Sequence, residues 1–325
     1  MRHYKGALWG GILIPAIILA AVISYARHMY EMPGDRSADV VLIVPKGASL
    51  SSISNQLQNE GVVENAHIFR WLTRFSGRSS GMQAGEYLIN SQASMHQIAD
   101  QLAEGLVIDH VITFAEGLTT KQIISLLNSE PSLDGFVDID VAEGVLLPET
   151  YHFIRGDKRI EILQRMRRDQ KLLLNDLWNA RHDDFPLQSM DEVVVLASII
   201  EKETAIESER KHIAAVFLNR LRQNMRLQSD PTVIYGLTGG ESLGRSLLKS
   251  ELNRATSYNT YRIKGLPPTP IANPGRASIM AVFQPADTED LYFVADGTGG
   301  HVFASTLNEH NNNVRKWRAI ERSRQ

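Results

Sequence analysis

From Gly6 to Ala26 the chain carries no charged side chain. As an α-helix at about 1.5 Å per residue, this run is about 30 Å long, the thickness of a bilayer's hydrocarbon core. Arg2 and Lys5 precede it and Arg27 follows, so both flanks are basic and charge counting orients it only weakly. A short basic start ahead of the first apolar run is the layout of a signal anchor. A cleaved signal peptide has an apolar core of about 7–15 residues and a small-residue cleavage site. The sequence Tyr25-Ala26-Arg27-His28-Met29-Tyr30 is a poor one. The expectation is an uncleaved single-pass anchor over 6–26, within a cytoplasmic stub and anchor spanning 1–30, with the rest outside the cytoplasm.

After a polar linker, Glu31 to Ser37, one pattern recurs. VVLIVPKGASLSSISNQL reads as a strand (Val40 to Val44), a Pro-Lys-Gly turn and a helix capped by Ser49. ITFAEGLTTKQIISLL repeats that order, with its strand ending at Phe114, its turn at Gly117 and its cap at Thr119. YLINSQASMHQIADQL is a weaker copy capped at Ser94. Each cap precedes an Ile by four residues (Ile53, Ile98, Ile123) and a Leu by eight (Leu57, Leu102, Leu127). This spacing puts cap, Ile and Leu near one helix face, so each helix is expected to pack on its strand.

The texture changes near Asp140. A basic helical segment (Ile160 to Trp178) leads to an unusually apolar helix, then to a Gly/Pro/Asn-rich region from Gln228 to about Gly300 and a polar terminal helix from Asn308. With 325 residues, 43% hydrophobic and 22% charged, most of the chain should fold into more than one domain. A formal net charge of -3 gives no electrostatic reason to expect nucleic-acid binding. The absence of cysteine excludes disulfides, thiolate metal sites and a cysteine nucleophile. Histidines are too scattered for an HExxH zinc pair, and no G-x-S-x-G elbow, P-loop or G-x-G-x-x-G fingerprint occurs. Gly297-Thr298-Gly299-Gly300 reads as a hairpin turn.

The sharpest chemical signal is DEVVVLASIIEKET, Asp191 to Thr204. Asp191 and Glu192 suit a helix N-terminus. Val193 to Ile200 is apolar on every side apart from Ser198, so the helix should be central and buried. A carboxylate at the end of such a helix loses solvation, which favours its protonated form and suits a general acid. Glu201 and Glu203 diverge by about 160° around the axis, so a regular helix cannot aim both at one pocket. Geometry alone does not choose between them. Both could also simply mark where the helix surfaces, one of them paired with Lys202 or Arg210. SDPTVIYG, SYNTYRIKGLPPTPIANPG and YFVADGTGGHVF are dense in Tyr, Asn, Pro and Gly. They read either as fixed loops offering stacking faces and amides to a sugar polymer, or as ordinary connections.

At these residues the chain resembles the YceG-like (MltG) family of endolytic murein transglycosylases. The likeness is strongest in ASIIEKET (Ala197–Thr204), VFLNRLRQNMRLQSDPTVIYG (Val216–Gly236), YNTYRIKGLPP (Tyr258–Pro268), IANPG (Ile271–Gly275) and YFVADGTGGHVF. EGVLLPETY (Glu143–Tyr151) resembles the family's entry motif, with Leu146-Leu147 where a bulky aromatic is common, a change that bears on a subsite.

The resemblance implies an α+β protein with an N-terminal transmembrane helix, a LysM-like strand–turn–helix module over 31–138 and a mixed α/β YceG-like catalytic domain over 139–325. It implies Glu201 as catalytic acid/base, with Glu203 second. Gln228, Ser229, Asp230, Tyr258, Asn259 and Asn273 are implied substrate-pocket residues. The implied reaction cleaves the bond between N-acetylmuramic acid and N-acetylglucosamine in nascent peptidoglycan, leaves a 1,6-anhydro end, and needs neither metal nor organic cofactor. Implied partners are glycan strands, the cytoplasmic (inner) membrane, and peptidoglycan synthases (penicillin-binding proteins), with the catalytic domain in the periplasm. The alternative is a non-catalytic, membrane-anchored peptidoglycan-binding scaffold.

Overall fold

The computed structural model describes residues 5–323, with side chains from Ile14 onward. The chain forms two compact units. One comprises residues 1–110 and 152–157, the other 111–151 and 158–325.

In the first unit, α1 (Lys5–Glu31) is a continuous helix. Of the anchor expected over 6–26, the side chains of residues 6–13 lie outside the described residues. Farther along, Ile14, Ile17, Ile18, Leu19, Val22, Ile23 and Tyr25 are exposed. Among the described residues no helix is long and apolar enough to cross a membrane. The order then is β1 (Val40–Val44), α2 (Leu50–Asn59), α3 (Ala66–Phe75), β2 (Gly85–Ile89) and α4 (Met95–Glu104). The first two repeat copies do not stand alone, because β1 and β2 pair antiparallel, Leu42 opposite Tyr87 and Val40 opposite Ile89. Alternation sends Leu42, Val44, Tyr87 and Ile89 inward and leaves Val41, Ile43 and Leu88 exposed. A strand pair with one apolar face needs a cover, and helix residues Ile53, Leu57, Phe69, Ile98 and Leu102 supply it.

The capping positions hold. Ser49 accepts from the Ser52 amide, and Ser94 forms a capping box with Gln97. Thr119 forms another with Gln122 at the start of α5 (Thr120–Ser129). All six aligned Ile and Leu residues are buried. Such a cap is worth about 1 kcal/mol.

The compact division falls at His110/Val111, within β3 (His110–Thr113), whereas the sequence reading puts a domain boundary at 138/139. The third copy therefore packs within the second unit. β3 pairs with β4 (Thr150–Phe153), and Leu118 O accepts from both the backbone N and the side-chain Nδ2 of distant Asn273.

The second unit is built on α7 (Met190–Glu203), capped by Ser189, whose hydroxyl accepts from the Glu192 amide. Val193 to Ile200 are all buried. They pack among Leu173 and Leu174 of α6 (Arg159–Asn179), Ile213 and Phe217 of α8 (Glu207–Arg222), and Ile279 and Val282 of α11 (Arg276–Phe283). Each large aliphatic buried here stabilises the fold by about 1.5–3 kcal/mol. Ser198 donates to Val195 O and accepts from the Ile271 amide, tying a distant loop to the core. SDPTVIYG was expected as an extended loop. Instead it opens α9 (Asp230–Thr238), because Pro231 sits in the first turn, where a missing N–H costs nothing. A short α10 (Lys249–Asn253) precedes the 258–275 loop. β5 (Tyr292–Ala295) and β6 (His301–Ala304) form the expected hairpin around Gly297–Gly300. The chain closes with α12 (Leu307–Ser323).

Candidate functional site

Glu201 and Glu203 sit in the last turn of α7, the end of the helix dipole least favourable to a carboxylate. The second unit provides different partners for each.

The Glu201 side chain is only 5% exposed. Its Oε2 accepts from the Gly275 amide at 3.0 Å, and its Oε1 lies 3.5 Å from Nη2 of Arg210. That same Nη2 lies 3.3 Å from Oε2 of Glu116, in the turn between β3 and α5. The turn is fixed by paired backbone bonds, Gly117 N to Asn273 O at 3.0 Å and Asn273 N to Leu118 O at 2.9 Å. Lys202 adds a bond from Nζ to Gly117 O. Gly275 has an ordinary backbone conformation, φ -73 and ψ 168. A Cβ there would lie 1.8 Å from Oε1 of Glu116, so the Glu116 carboxylate keeps its place only over a glycine. Burial and the Glu201 charge push the Glu116 carboxyl up, against the pull of Arg210.

Glu203 faces the other way and accepts from the Ser229 hydroxyl at 3.0 Å. Burial, aided by the nearby Asp230 charge and opposed by the Ser229 bond, pushes its carboxyl up to about 7. The desolvation expected at the end of this helix thus acts on Glu203. Ser229 is held by its amide to Thr260 Oγ1 at 3.0 Å, and Thr260 Oγ1 also lies 2.8 Å from the Thr232 hydroxyl. Gln228 is exposed and takes a left-handed conformation, φ 54, at the bend into α9. Asp230 accepts from the Tyr261 hydroxyl at 2.6 Å, and burial and this bond raise the Tyr261 pKa.

The two asparagines among the expected pocket residues are buried and committed to the protein itself. Asn259, 1% exposed, donates to the carbonyls of Glu251, Leu252 and Arg254 and accepts from the Tyr261 amide. Asn273, fully buried, donates to Leu118 O, Thr120 Oγ1 and Glu143 Oε1 and accepts from the Leu146 amide. With both amide groups bonded within the protein, they shape the loops. Tyr258 is partly exposed, its hydroxyl 2.7 Å from that of Thr269 and its ring 5.1 Å from that of Tyr235, which donates to Glu143. Leu146 and Leu147 are buried.

The structure therefore gathers Glu201, Gly275 and Arg210 in one cluster, and Glu203, Ser229 and Asp230 with Tyr261 in another. Glu116 escaped the sequence reading because it lies in a repeat read as a packing unit. Its signal was present: the turn glycine after it, Gly117, fits a carboxylate carried on a fixed turn. Arg210 appears in that reading only as a possible partner of a surfacing glutamate.

Residues 42–316, more than half of the chain, match the family described as the YceG-like family. An endolytic murein transglycosylase of Bacillus subtilis is 31% identical, the match covering 93% of this chain and 91% of that protein. One from Streptococcus pneumoniae is 26% identical over 85% of this chain and 58% of the relative's own length. A YceG-like protein of Listeria monocytogenes, known from its crystal structure, is 29% identical, with a TM-score of 0.51 over 84% of this chain and 98% of that one. The glutamates, the loops that hold them and these matches lead to one conclusion: the chain belongs to the YceG-like family.

Proposed function

We propose that this chain is an endolytic peptidoglycan lytic transglycosylase with Glu201 as its acid/base. One observation carries the reading. A nearly sealed glutamate ends a buried helix, held by the Gly275 amide and Arg210, in a chain that matches a murein transglycosylase over 93% of its length. Glu201 donates a proton to the oxygen leaving C1 of N-acetylmuramic acid. The C1–O bond breaks, the C6 hydroxyl oxygen bonds to C1, and its proton returns to Glu201. No water is consumed, so the pair of carboxylates needed by hydrolytic glycosidases is not required. Tyr258, Asp230 and Gln228 remain the proposed sugar contacts, because each keeps surface the asparagines have lost.

The second reading makes Glu203 the acid, favoured by a carboxyl pushed up to about 7. We further propose that residues 6–26 anchor the chain in the cytoplasmic membrane, supported by the uncharged run and the exposed apolar surface of α1. The β–α–α–β arrangement of β1, α2, α3 and β2 supports a LysM-like module that holds glycan outside that membrane. In such a setting the enzyme would work on strands beside their synthases.

The test is mass spectrometry of uncrosslinked glycan strands digested by the detergent-solubilised full chain, beside Glu201→Gln and Glu203→Gln. Internal fragments with 1,6-anhydro-N-acetylmuramic acid ends, lost in Glu201→Gln, are expected. Loss only in Glu203→Gln transfers the role to Glu203. Binding without cleavage by the native chain would favour a scaffold.

A further inference from the structure

Two contacts bring a second carboxylate to Glu201. Glu116 and Glu201 both reach Nη2 of Arg210, at 3.3 and 3.5 Å. The Glu116 side chain also lies directly over Gly275, the residue whose amide donates to Glu201. Arg210 is 9% exposed, and its Nε is buried without a hydrogen-bond partner among the described residues. One guanidinium nitrogen thus serves two anions, in place of the planar fork that would neutralise one of them fully.

We propose that Glu116 is a positioning residue of the acid/base site, sharing Arg210 with Glu201 so that the carboxylate pair retains a proton for transfer. The proposal rests on Glu201 being the acid. With both carboxylates ionised the triad carries one net negative charge, and like charges this close resist joint ionisation. Transglycosylation returns its proton at the end of each cycle, so retention of one proton on the pair is sufficient. Glu116 is the member open to solvent, 38% exposed against 5% for Glu201. It gives the sealed acid a route for exchange with bulk water.

The other charges around Glu116 are few. α7 presents Lys202, whose Nζ bonds Gly117 O, and α8 presents Glu207. Glu149, at the end of the entry motif, also faces Glu116 but is engaged by Arg276 of α11 at 3.3 Å. Both of these carboxylates add to the negative field and favour a retained proton.

The experiment is the pH dependence of kcat/KM on uncrosslinked glycan strands for the detergent-solubilised full chain and its Glu116→Gln variant. Removing the like charge leaves Arg210 to Glu201 alone. The alkaline limb should then move down by about one pH unit, with KM within twofold and lost activity regained at lower pH. A uniform loss at every pH, or an unmoved limb, overturns the proposal. Should Glu116→Gln misfold, carboxyl 13C NMR of native and Glu201→Gln chains decides. The Glu116 resonance must titrate at lower pH once the Glu201 charge is gone, and an unchanged midpoint overturns the proposal. Full activity in Glu201→Gln would instead sink the assignment of the acid, whatever Glu116 does.

Discussion

Glu201 and Glu203 share the last turn of α7 yet are held by segments far apart in the chain, Glu201 by the Gly275 amide and Glu203 by the Ser229 hydroxyl. A helix sends neighbours-but-one to opposite sides, and here each side meets its own loop. The two carboxylates consequently answer to different perturbations.

Glu201→Gln keeps the size of the side chain and the Gly275 bond but cannot supply a proton. Cleavage should fall by about 10²–10⁴-fold, the usual range for losing a general acid. The melting temperature should hold. Initial rates of anhydro-end formation beside a thermal melt check both parts, and marked unfolding would assign Glu201 a structural role.

Glu203 makes stability depend on pH. Its folded pKa of about 7 lies above the ordinary 4.5, so the folded state binds the proton more tightly than the unfolded one. That contribution is complete below about pH 4.5 and disappears as pH rises through 7. Relative to Glu203→Gln, the native chain should lose up to about 3 kcal/mol across this window, at about 1.4 kcal/mol per unit. Urea titrations of both proteins at pH 4.5, 6 and 8 would show it, and parallel curves would exclude it.

Asn273→Ala removes four hydrogen bonds from a fully buried position, leaving Leu118 O, Thr120, Glu143 and the Leu146 amide without that partner. Unsatisfied buried groups cost about 1–3 kcal/mol each, partly relieved by relaxation. A loss of about 3–4 kcal/mol is expected, with activity falling as the Glu116 turn loosens. A change below 1 kcal/mol in denaturant titration would mean that water readily replaces the amide.

Gly275→Ala introduces a methyl where the Glu116 carboxylate lies, with no conformational penalty at φ -73. Expelling Glu116 should lower activity more than stability. In a Glu116→Ala background the three atoms nearest the new methyl are gone, so a double-mutant cycle should give a coupling of about 1 kcal/mol or more. Additive effects would remove Glu116 from its place over Gly275.

Much of this was legible in the sequence. The caps Ser49, Ser94 and Thr119 and the central burial of Val193 to Ile200 follow from local chemistry and periodicity, and both stand in the structure. The pairing of β1 with β2 was not legible, because alternation reveals which face a strand buries but not its neighbour. Asn259 and Asn273 were implied as pocket residues by the family resemblance, which transfers positions and not side-chain partners. Only the fold shows the Asn259 amide donating to three carbonyls and the Asn273 amide to Leu118 O, Thr120 and Glu143. Glu116 was hidden because it lies far from residue 201 in sequence, and the bonds that close that distance, from Gly117 and Leu118 to Asn273 and from Lys202 to Gly117, appear only in the fold.

Those backbone bonds also set where the gene can be cut. A fragment begun at the texture change near residue 139 would discard Glu116, the capped helix α5 and the carbonyl that Lys202 grips. It would keep every motif by which the catalytic half is recognised and still lack a wall of its site. In chimeras with other amino-terminal modules, the crossover must fall upstream of Val111 for the transplanted half to arrive whole.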